Sequence, residues 1–200
     1  METSKIAIIG AGGIGSYLCR DLHGLLQHDQ FGNYAVDITI LDDDVVDIKN
    51  LKYQNFEPFD LGDPKSEILG MRYDMHYEVE RVKNMDLLKN FNVIIAAVDN
   101  SSFRKKLYQW SEKNPDAYWI DLRAEGRSIA YFTKHKSNTL KTLISTLPDD
   151  SEEGGSCQLA FELERGMIQQ GNKIVASMGS QLLLNYYRQE SNSAKFIMRI

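Results

Sequence analysis

Two cysteines are the whole thiol content of this 200-residue sequence. A single pair, Cys19 and Cys157, is too small for a disulfide framework or for a four-cysteine zinc site. The sequence therefore predicts a cytoplasmic protein without structural zinc.

The sequence also lacks a long apolar run and an excess of basic residues. No stretch approaches the roughly 18 consecutive apolar residues of a membrane span, and residues 1–5 lead directly into a strand-like run rather than a signal peptide. The 23 basic and 28 acidic residues give a net charge of −5, whereas a nucleic-acid-binding surface normally carries a basic stripe. We therefore expect neither a membrane partner nor a nucleic-acid partner.

Strand-like and helix-like segments alternate along the chain. Short apolar or β-branched runs predict strands at 5–9, 35–41, 78–82, 92–98, 118–122, 128–132 and 195–200. Apolar residues at helical spacing predict helices at 14–27, 65–72, 85–89, 102–112 and, with a break near 171–172, 158–188. This order predicts one α/β domain over residues 1–200, with a Rossmann-like, doubly wound, mainly parallel sheet covered by helices on both faces. The polar, glycine-rich segment 146–156 predicts a mobile loop.

A glycine-rich turn, GAGGIG, follows the first predicted strand. In such a turn Gly10 makes the tight bend, Gly12 admits a phosphate close to the backbone, and Gly15 lets helix and strand pack closely. The predicted helix that begins at Ile14, directly after Gly13, offers free N–H groups and a partial positive charge to the phosphate, and Gly13 is a further nucleotide-binding candidate. The turn predicts nucleotide binding but does not separate NAD, FAD and ATP, and a turn without a ligand is the structural alternative.

The segment after the second strand, LDDDVVDIKNLKYQNFEPFDLGDPKSE, has no role in nicotinamide binding. It resembles the signature of the ThiF/MoeB family, the ATP-dependent activators of ubiquitin-like proteins. That signature has an acid-x-acid-x-valine segment, then Asn-Leu-x-Arg-Gln, then Asp-x-Gly-x-x-Lys, and later Asp-Asn followed by Arg. The matching residues are Asp42, Asp44, Val45, Asn50, Leu51, Gln54, Asp60, Gly62, Lys65, Asp99, Asn100 and Arg104. The likeness runs from residue 5 to about residue 132 and includes RAEG at 123–126.

The resemblance implies an adenylyltransferase that uses ATP and Mg²⁺ to activate the C-terminal carboxylate of a ubiquitin-like or sulfur-carrier protein, and that forms a homodimer. It implies that Asp42 accepts the ribose hydroxyls, that Lys65 neutralises phosphate charge, and that Asp99 ligates Mg²⁺. The other nucleotide-binding candidates are Asp44, Asn50, Gln54, Asn100 and Arg104. Structural alternatives are an exposed lysine at 65, a helix cap at 99, and a loop brace at 104.

One departure from the family pattern keeps a second function open. Tyr53 stands where the motif has an arginine, which removes a bidentate phosphate donor. This favours a non-catalytic partner subunit, whereas Lys65 and Asp99 favour an enzyme. Arg20 or Arg123 is a candidate to replace the lost charge. A third function, an NAD(P)-dependent oxidoreductase, has only the glycine turn in its favour.

Cys157 follows an acidic, glycine-rich segment and opens a predicted helical stretch. Free N–H groups at a helix N-terminus lower a thiol pKa, so this position favours a thiolate. The resemblance implies a catalytic sulfur nucleophile in a comparable loop, which takes the activated carboxyl as a thioester or persulfide. The alternative is a small apolar residue packed under the loop. Cys19, inside the first helix, is expected to be buried and inert.

Overall fold

The computed structural model describes residues 3–148 and 167–200, which contain seven strands and five α-helices. The strands are β1 (Thr3–Ile9), β2 (Ala35–Leu41), β3 (His76–Glu78), β4 (Val93–Ala96), β5 (Tyr118–Glu125), β6 (Ser128–Thr133) and β7 (Lys195–Arg199). The helices are α1 (Gly13–Gln27), α2 (Lys65–Tyr73), α3 (Ser101–Lys113), α4 (Leu140–Ile144) and α5 (Gly171–Tyr187). Short 3₁₀ helices lie at Asn50–Lys52, Pro58–Asp60 and Met85–Asn90.

All seven strands form one sheet in the order β3-β2-β1-β4-β5-β6-β7. The first five in this order are parallel, and β6 and β7 are antiparallel to their neighbours. The predicted doubly wound, mainly parallel α/β fold is therefore confirmed. Since parallel strands end at the same edge, the loops after β1, β2 and β4 meet there.

Alternate residues of β1 face the two layers of helices. Ile6 and Ile8 belong to a core shared with α1, α2 and α5, whereas Ala7 and Ile9 belong to a core shared with α3 and α4. All four side chains are almost completely buried. This burial on both faces explains why the second half of β1, residues 6–9, is uninterruptedly apolar, which is typical of a central parallel strand.

Two glycines fix the turn between β1 and α1. Gly10 has φ +97°, a left-handed conformation that favours glycine, and a Cβ there would lie 2.8 Å from the carbonyl oxygen of Ala97. A Cβ on Gly15 would overlap the carbonyl oxygen of Gly10. The turn is therefore pressed against the end of β4 on one side and against its own helix on the other.

The structure differs from the predicted elements where burial is low or segments are short. The third strand occupies His76–Glu78 rather than 78–82, because a three-residue, exposed edge strand has no apolar run to mark it. The helix α4 was not predicted, since it has only five residues. Of the predicted mobile loop, only residues 146–148 lie within the described part, and Cys157 lies outside it. No helix in the described ranges is long and apolar enough to cross a membrane.

Replacing Gly15 by alanine is expected to destabilise the protein by ~3 kcal/mol or more, because the new methyl group would overlap backbone. The control is Gly24→Ala on the same helix, where nothing lies within 4 Å of the added Cβ. That change should stabilise by ~0.5–1 kcal/mol through the higher helix propensity of alanine. Urea denaturation of both variants measures the difference, and equal stabilities would contradict the packing described for the turn.

Candidate functional site

A pocket of about 320 Å³ opens at the carboxyl edge of the parallel strands. Its walls come from the glycine turn, from the aspartates that follow β2, and from the segment that joins β4 to α3. It brings together most of the residues that the sequence predicted for the site: Gly10, Gly12, Gly13, Asp42, Asp44, Gln54, Lys65, Asp99 and Asn100.

The first turn of α1 forms the floor of this pocket. Gly12 is the N-cap of the helix and makes no side-chain capping hydrogen bond, and the first intrahelical bond runs from Ser16 N to Gly12 O at 3.0 Å. The earlier N–H groups of a helix have no intrahelical acceptor. Because Gly12 and Gly13 have no side chains, these N–H groups are accessible to an anionic ligand.

Asp42 connects the end of β2 to the glycine turn. Its Oδ2 accepts a hydrogen bond from Ala11 N at 2.6 Å, and its Oδ1 accepts one from Asp44 N at 2.8 Å. Burial raises the pKa of the Asp42 carboxyl, whereas the two backbone hydrogen bonds and the charge of Lys65 act in the opposite direction. Each carboxylate oxygen keeps a second lone pair with which to accept a ligand hydroxyl.

Lys65 is held in the pocket wall at the first position of α2. It is 5% exposed, and its Nζ donates to Asp44 Oδ2 at 2.9 Å. The backbone places it there, since Lys65 N donates to Asp44 O at 2.9 Å and Pro64 bridges to Val45. The structural alternative of an ordinary exposed lysine therefore does not apply to Lys65.

The carboxylates around the pocket differ in their pairing. One oxygen from each of Asp42, Asp43 and Asp44 lies within 4.8 Å of the others, but Asp43 pairs with Arg81 at 3.1 Å and Asp44 with Lys65. Within residues 3–148 and 167–200, no cation pairs with Asp99. An unpaired carboxylate beside the glycine turn fits the few-carboxylate coordination that Mg²⁺ prefers.

Gln54 also lines the pocket and has an unsatisfied group. The residue is 8% exposed, and its Oε1 has no hydrogen-bond partner among the described residues. Its Nε2 lies 3.9 Å from the position that a Cβ on Gly12 would take. A buried amide oxygen without a hydrogen-bond donor is unfavourable, which fits a ligand that donates a hydrogen bond to Gln54 Oε1.

Three predicted site residues lie outside the pocket lining. Asn50 is buried and holds its own loop, because its Oδ1 accepts from Asp47 N and its carbonyl oxygen accepts from Gln54 N, both at 2.8 Å. Gly15 packs against Gly10 rather than facing the pocket. Arg104 points away, because its guanidinium donates to Asp121 Oδ1 at 2.9 Å.

Arg104 belongs to a second cavity of about 570 Å³, which shares Val98 and Asp99 with the first pocket. Behind its wall lies Asp121, which is 0% exposed and is bonded to Arg104, to Arg123 at 2.8 Å, and to the Tyr108 hydroxyl. Burial and the neighbouring carboxylate raise the pKa of Tyr108, so its hydroxyl stays protonated. Two guanidiniums and one carboxylate leave this cluster with one net positive charge.

Three cations of the first pocket belong to no motif in the sequence, namely Arg81, Lys83 and Lys106. Arg81 and Lys83 follow β3, which ends at Glu78. Because the sequence predicted a strand over 78–82, these two residues were not recognised as pocket residues. Tyr53 itself lies in the pocket lining. Neither predicted substitute for the family arginine is there, because Arg20 pairs with Asp21 on α1 and Arg123 lines the second cavity.

The model of the ThiF family matches residues 1–199. Solved structures with the same fold include Escherichia coli MccB with ATP, at 12% sequence identity and a TM-score of 0.69. The alignment covers 98% of this chain and 60% of the MccB chain. PaaA has 16% sequence identity and a TM-score of 0.67, and the alignment covers 98% of this chain and 61% of the PaaA chain. The microcin C7 biosynthetic enzyme MccB in complex with N-formylated MccA has 12% identity and a TM-score of 0.69, with coverage of 98% and 62%. The chain therefore spans about 60% of the length of these neighbours.

Replacing Asp121 by asparagine is expected to lower the free energy of unfolding by ~3–5 kcal/mol, because it leaves two buried guanidiniums without a counter-charge. The matched control is Asp43→Asn, whose partner Arg81 is 60% exposed, and where the loss should stay below ~1 kcal/mol. Chemical denaturation at neutral pH measures both. Similar losses in the two variants would contradict the buried network.

Proposed function

The chain belongs to the ThiF family, and from that premise we propose that it is an ATP-dependent adenylyltransferase. The observation that carries the proposal is the convergence, in one pocket, of the uncapped turn of α1, the buried charge of Lys65 and the unpaired carboxylate of Asp99. A triphosphate needs these three features, namely backbone donors, a cation and a ligand for Mg²⁺.

The pocket residues suggest how the nucleotide lies. Asp42 would accept the ribose hydroxyls, and the N–H groups at Gly12 and Gly13 together with Lys65 would hold the phosphates. The apolar residues Val82, Val98 and Phe103 line the same pocket and offer a surface for the base. The pocket contains the cations Lys65, Arg81, Lys83 and Lys106. These cations suit the triphosphate of ATP better than NAD, which has no triphosphate, so ATP is the proposed nucleotide.

In the proposed reaction, a carboxylate oxygen of the acceptor attacks the α-phosphorus of ATP. The bond from that phosphorus to the bridging oxygen breaks, and pyrophosphate leaves with the bonding electron pair. Lys65 would neutralise negative charge that develops on the leaving group, and Asp99 would hold Mg²⁺, which supplies further charge neutralisation. The protein contributes positioning and electrostatics, and no side chain has to transfer a proton.

The proposed acceptor is the C-terminal carboxylate of a ubiquitin-like or sulfur-carrier protein. The second cavity supports this acceptor, since it has a volume of about 570 Å³ and shares Val98 and Asp99 with the first pocket. A solved structure of MccB holds both AMPCPP and MccA, which is consistent with a second molecule bound together with the nucleotide. Cys157 stays a predicted sulfur nucleophile for a later step, because it lies outside the described residues. Cys19 is fully buried, and burial raises the pKa of its thiol.

A non-catalytic partner subunit is the second candidate function, and Tyr53 favours it. This residue is 8% exposed and lies in the pocket lining where the family motif has an arginine. A phenol offers one hydrogen bond to a phosphate, whereas a guanidinium offers two with a full charge. A subunit of this kind would bind MgATP without releasing pyrophosphate.

Replacing Asp99 by alanine is expected to reduce ATP–pyrophosphate exchange at least ~100-fold, because the metal that neutralises pyrophosphate loses its ligand. The assay uses candidate carrier proteins as acceptors. The melting temperature should change little, since Asp99 is exposed. Asp86→Ala, at an exposed carboxylate outside the pocket, is the control and should retain full exchange.

The outcomes of this assay separate the candidate functions. Exchange retained in the Asp99 variant would exclude the metal role of Asp99. Binding of MgATP by calorimetry without exchange in the unaltered protein would favour the non-catalytic subunit. Binding of NAD in preference to MgATP would exclude both the adenylyltransferase and the non-catalytic subunit.

We also propose a homodimer, in which a second copy of the chain covers an apolar patch on the β2–α2 segment. The patch consists of Val45, Ile48, Phe59, Leu61 and Met71, of which Phe59 is 78% and Ile48 71% exposed. Exposed apolar side chains that cluster on one part of a surface often mark an interface. The patch adjoins the pocket, since Val45 directly follows Asp44.

The double substitution Ile48→Asp and Phe59→Asp is expected to convert the dimer to a monomer in sedimentation velocity experiments, because it places two charges in the apolar patch. The control is Ile197→Asp on β7, which is 63% exposed at the opposite edge of the sheet. A monomer before substitution, or dissociation caused by the control alone, would contradict this interface.

A further inference from the structure

Two long helices bring their N-termini together beside the pocket. At one end, Gly13 of α1 contacts Asn172 of α5. At the other end, Arg188 just after α5 donates to Gln30 just after α1, with Nη2 3.2 Å from Oε1. The helices α1 and α5 have 15 and 17 residues, so they lie side by side and run in the same direction.

At neither helix N-terminus does a capping side chain accept a hydrogen bond from the first backbone N–H groups. The N-cap residues are Gly12 for α1 and Gln170 for α5, and neither makes a side-chain capping hydrogen bond. Each helix therefore has free N–H groups and about half a positive charge at this end. Two like helix ends at close distance repel each other, and an anion between them relieves that repulsion.

A buried amide without partners lies at the junction of these two ends. Asn172 is 2% exposed, and neither its nitrogen nor its oxygen has a hydrogen-bond partner in the described part of the chain. It points at the first turn of α1, because a Cβ on Gly13 would lie 2.8 Å from its Cγ. Next to it, the side chain of Gln54 approaches Gly12 with its Nε2, and its Oε1 has no hydrogen-bond partner among the described residues. Unpaired buried amides are unfavourable, so both groups indicate a missing polar ligand.

The junction lies between the two cavities. Gly13 lines the first pocket. A Cβ on Gly171 would lie 3.0 Å from Ile129 and 3.6 Å from Ala124, and both of these residues line the second cavity. The helix end of α1 therefore lines the first pocket, and the N-terminus of α5 packs against residues that line the second cavity.

We propose that the N-termini of α1 and α5, together with the amide of Asn172, form an anion subsite for the reacting oxygens. We call this the paired-helix subsite. The side-chain N–H groups of Asn172 donate to an anionic oxygen, which belongs either to a nucleotide phosphate or to the acceptor carboxylate. The identity of the anion rests on the proposed function, whereas the subsite itself rests on the helix geometry and the unpaired amide.

The first test replaces Asn172 by aspartate, which has the same shape and places a fixed negative charge in the subsite. Without ligands, Asn172→Asp should raise the melting temperature by ~2–4 °C, because a carboxylate stabilises helix N-termini. The control is Asn185→Asp near the C-terminus of the same helix, where a negative charge should lower the melting temperature or leave it unchanged. A melting temperature of Asn172→Asp at or below that of the unaltered protein would overturn the proposal.

The second test measures anion binding in two arms. Calorimetry gives the Kd of MgATP, and NMR titration gives the Kd of N-acetylglycine, a carboxylate probe, with a non-hydrolysable ATP analogue at saturation. Asn172→Asp should weaken at least one probe tenfold or more, whereas Asn185→Asp should weaken neither. Loss confined to MgATP identifies a phosphate as the anion, and loss confined to N-acetylglycine identifies the carboxylate. Unchanged binding of both probes would overturn the subsite.

Two further measurements keep the outcome decisive. Asn172→Ala removes the donors without adding charge, and should weaken the same probe threefold or more. If the aspartate variant does not fold, Asn172→Ala decides the test, and unchanged binding of both probes by this alanine variant would overturn the proposal. Inorganic pyrophosphate serves as a nucleotide-free probe. If the unaltered protein binds pyrophosphate but not MgATP, the proposed function fails, and the effect of Asn172→Ala on pyrophosphate binding still decides the subsite.

Discussion

The carboxylate of Asp42 accepts hydrogen bonds from the backbone N–H groups of Ala11 and Asp44, and the geometry of the pocket depends on this pair of bonds. The first bond holds the glycine turn at the end of β2. The second bends the chain after β2, so that the carbonyl and carboxylate of Asp44 both reach Lys65. A single side chain thus positions the glycine turn and the buried cation of Lys65 with respect to each other.

The central strands and the glycine turn were predictable because their signal is local. The apolar sequence of β1 reflects burial on both faces, and the roles of Gly10 and Gly15 follow from backbone conformation and close approach. The bounds of the edge strand β3 and the helix α4 could not be predicted, since neither element has enough buried residues to produce an apolar sequence pattern. Sequence motifs also do not specify side-chain direction. Asn50 and Arg104 carry family positions, yet the first holds a loop and the second a buried carboxylate.

Asn172 illustrates a kind of residue that sequence reasoning misses entirely. It belongs to no motif quoted above, and an asparagine in the first turn of a helix is ordinary. Its significance arises from the contact between α1 and α5, which lie far apart in the sequence, and from the lack of hydrogen-bond partners within the described residues. The buried cluster around Asp121 depends in the same way on side chains from α3 and β5.

The two edges of the sheet differ in a way that matters for handling the protein. At one edge, β3 pairs over only three residues and offers little template for another chain. At the other edge, β7 has the sequence KFIMR, and Ile197 and Met198 are 63% and 41% exposed. Lys195 and Arg199 flank this apolar core and act as gatekeepers, because like charges oppose the alignment of identical strands. Chemical modification that neutralises the lysine, or polyanions that bind both cations, would therefore promote aggregation through this edge.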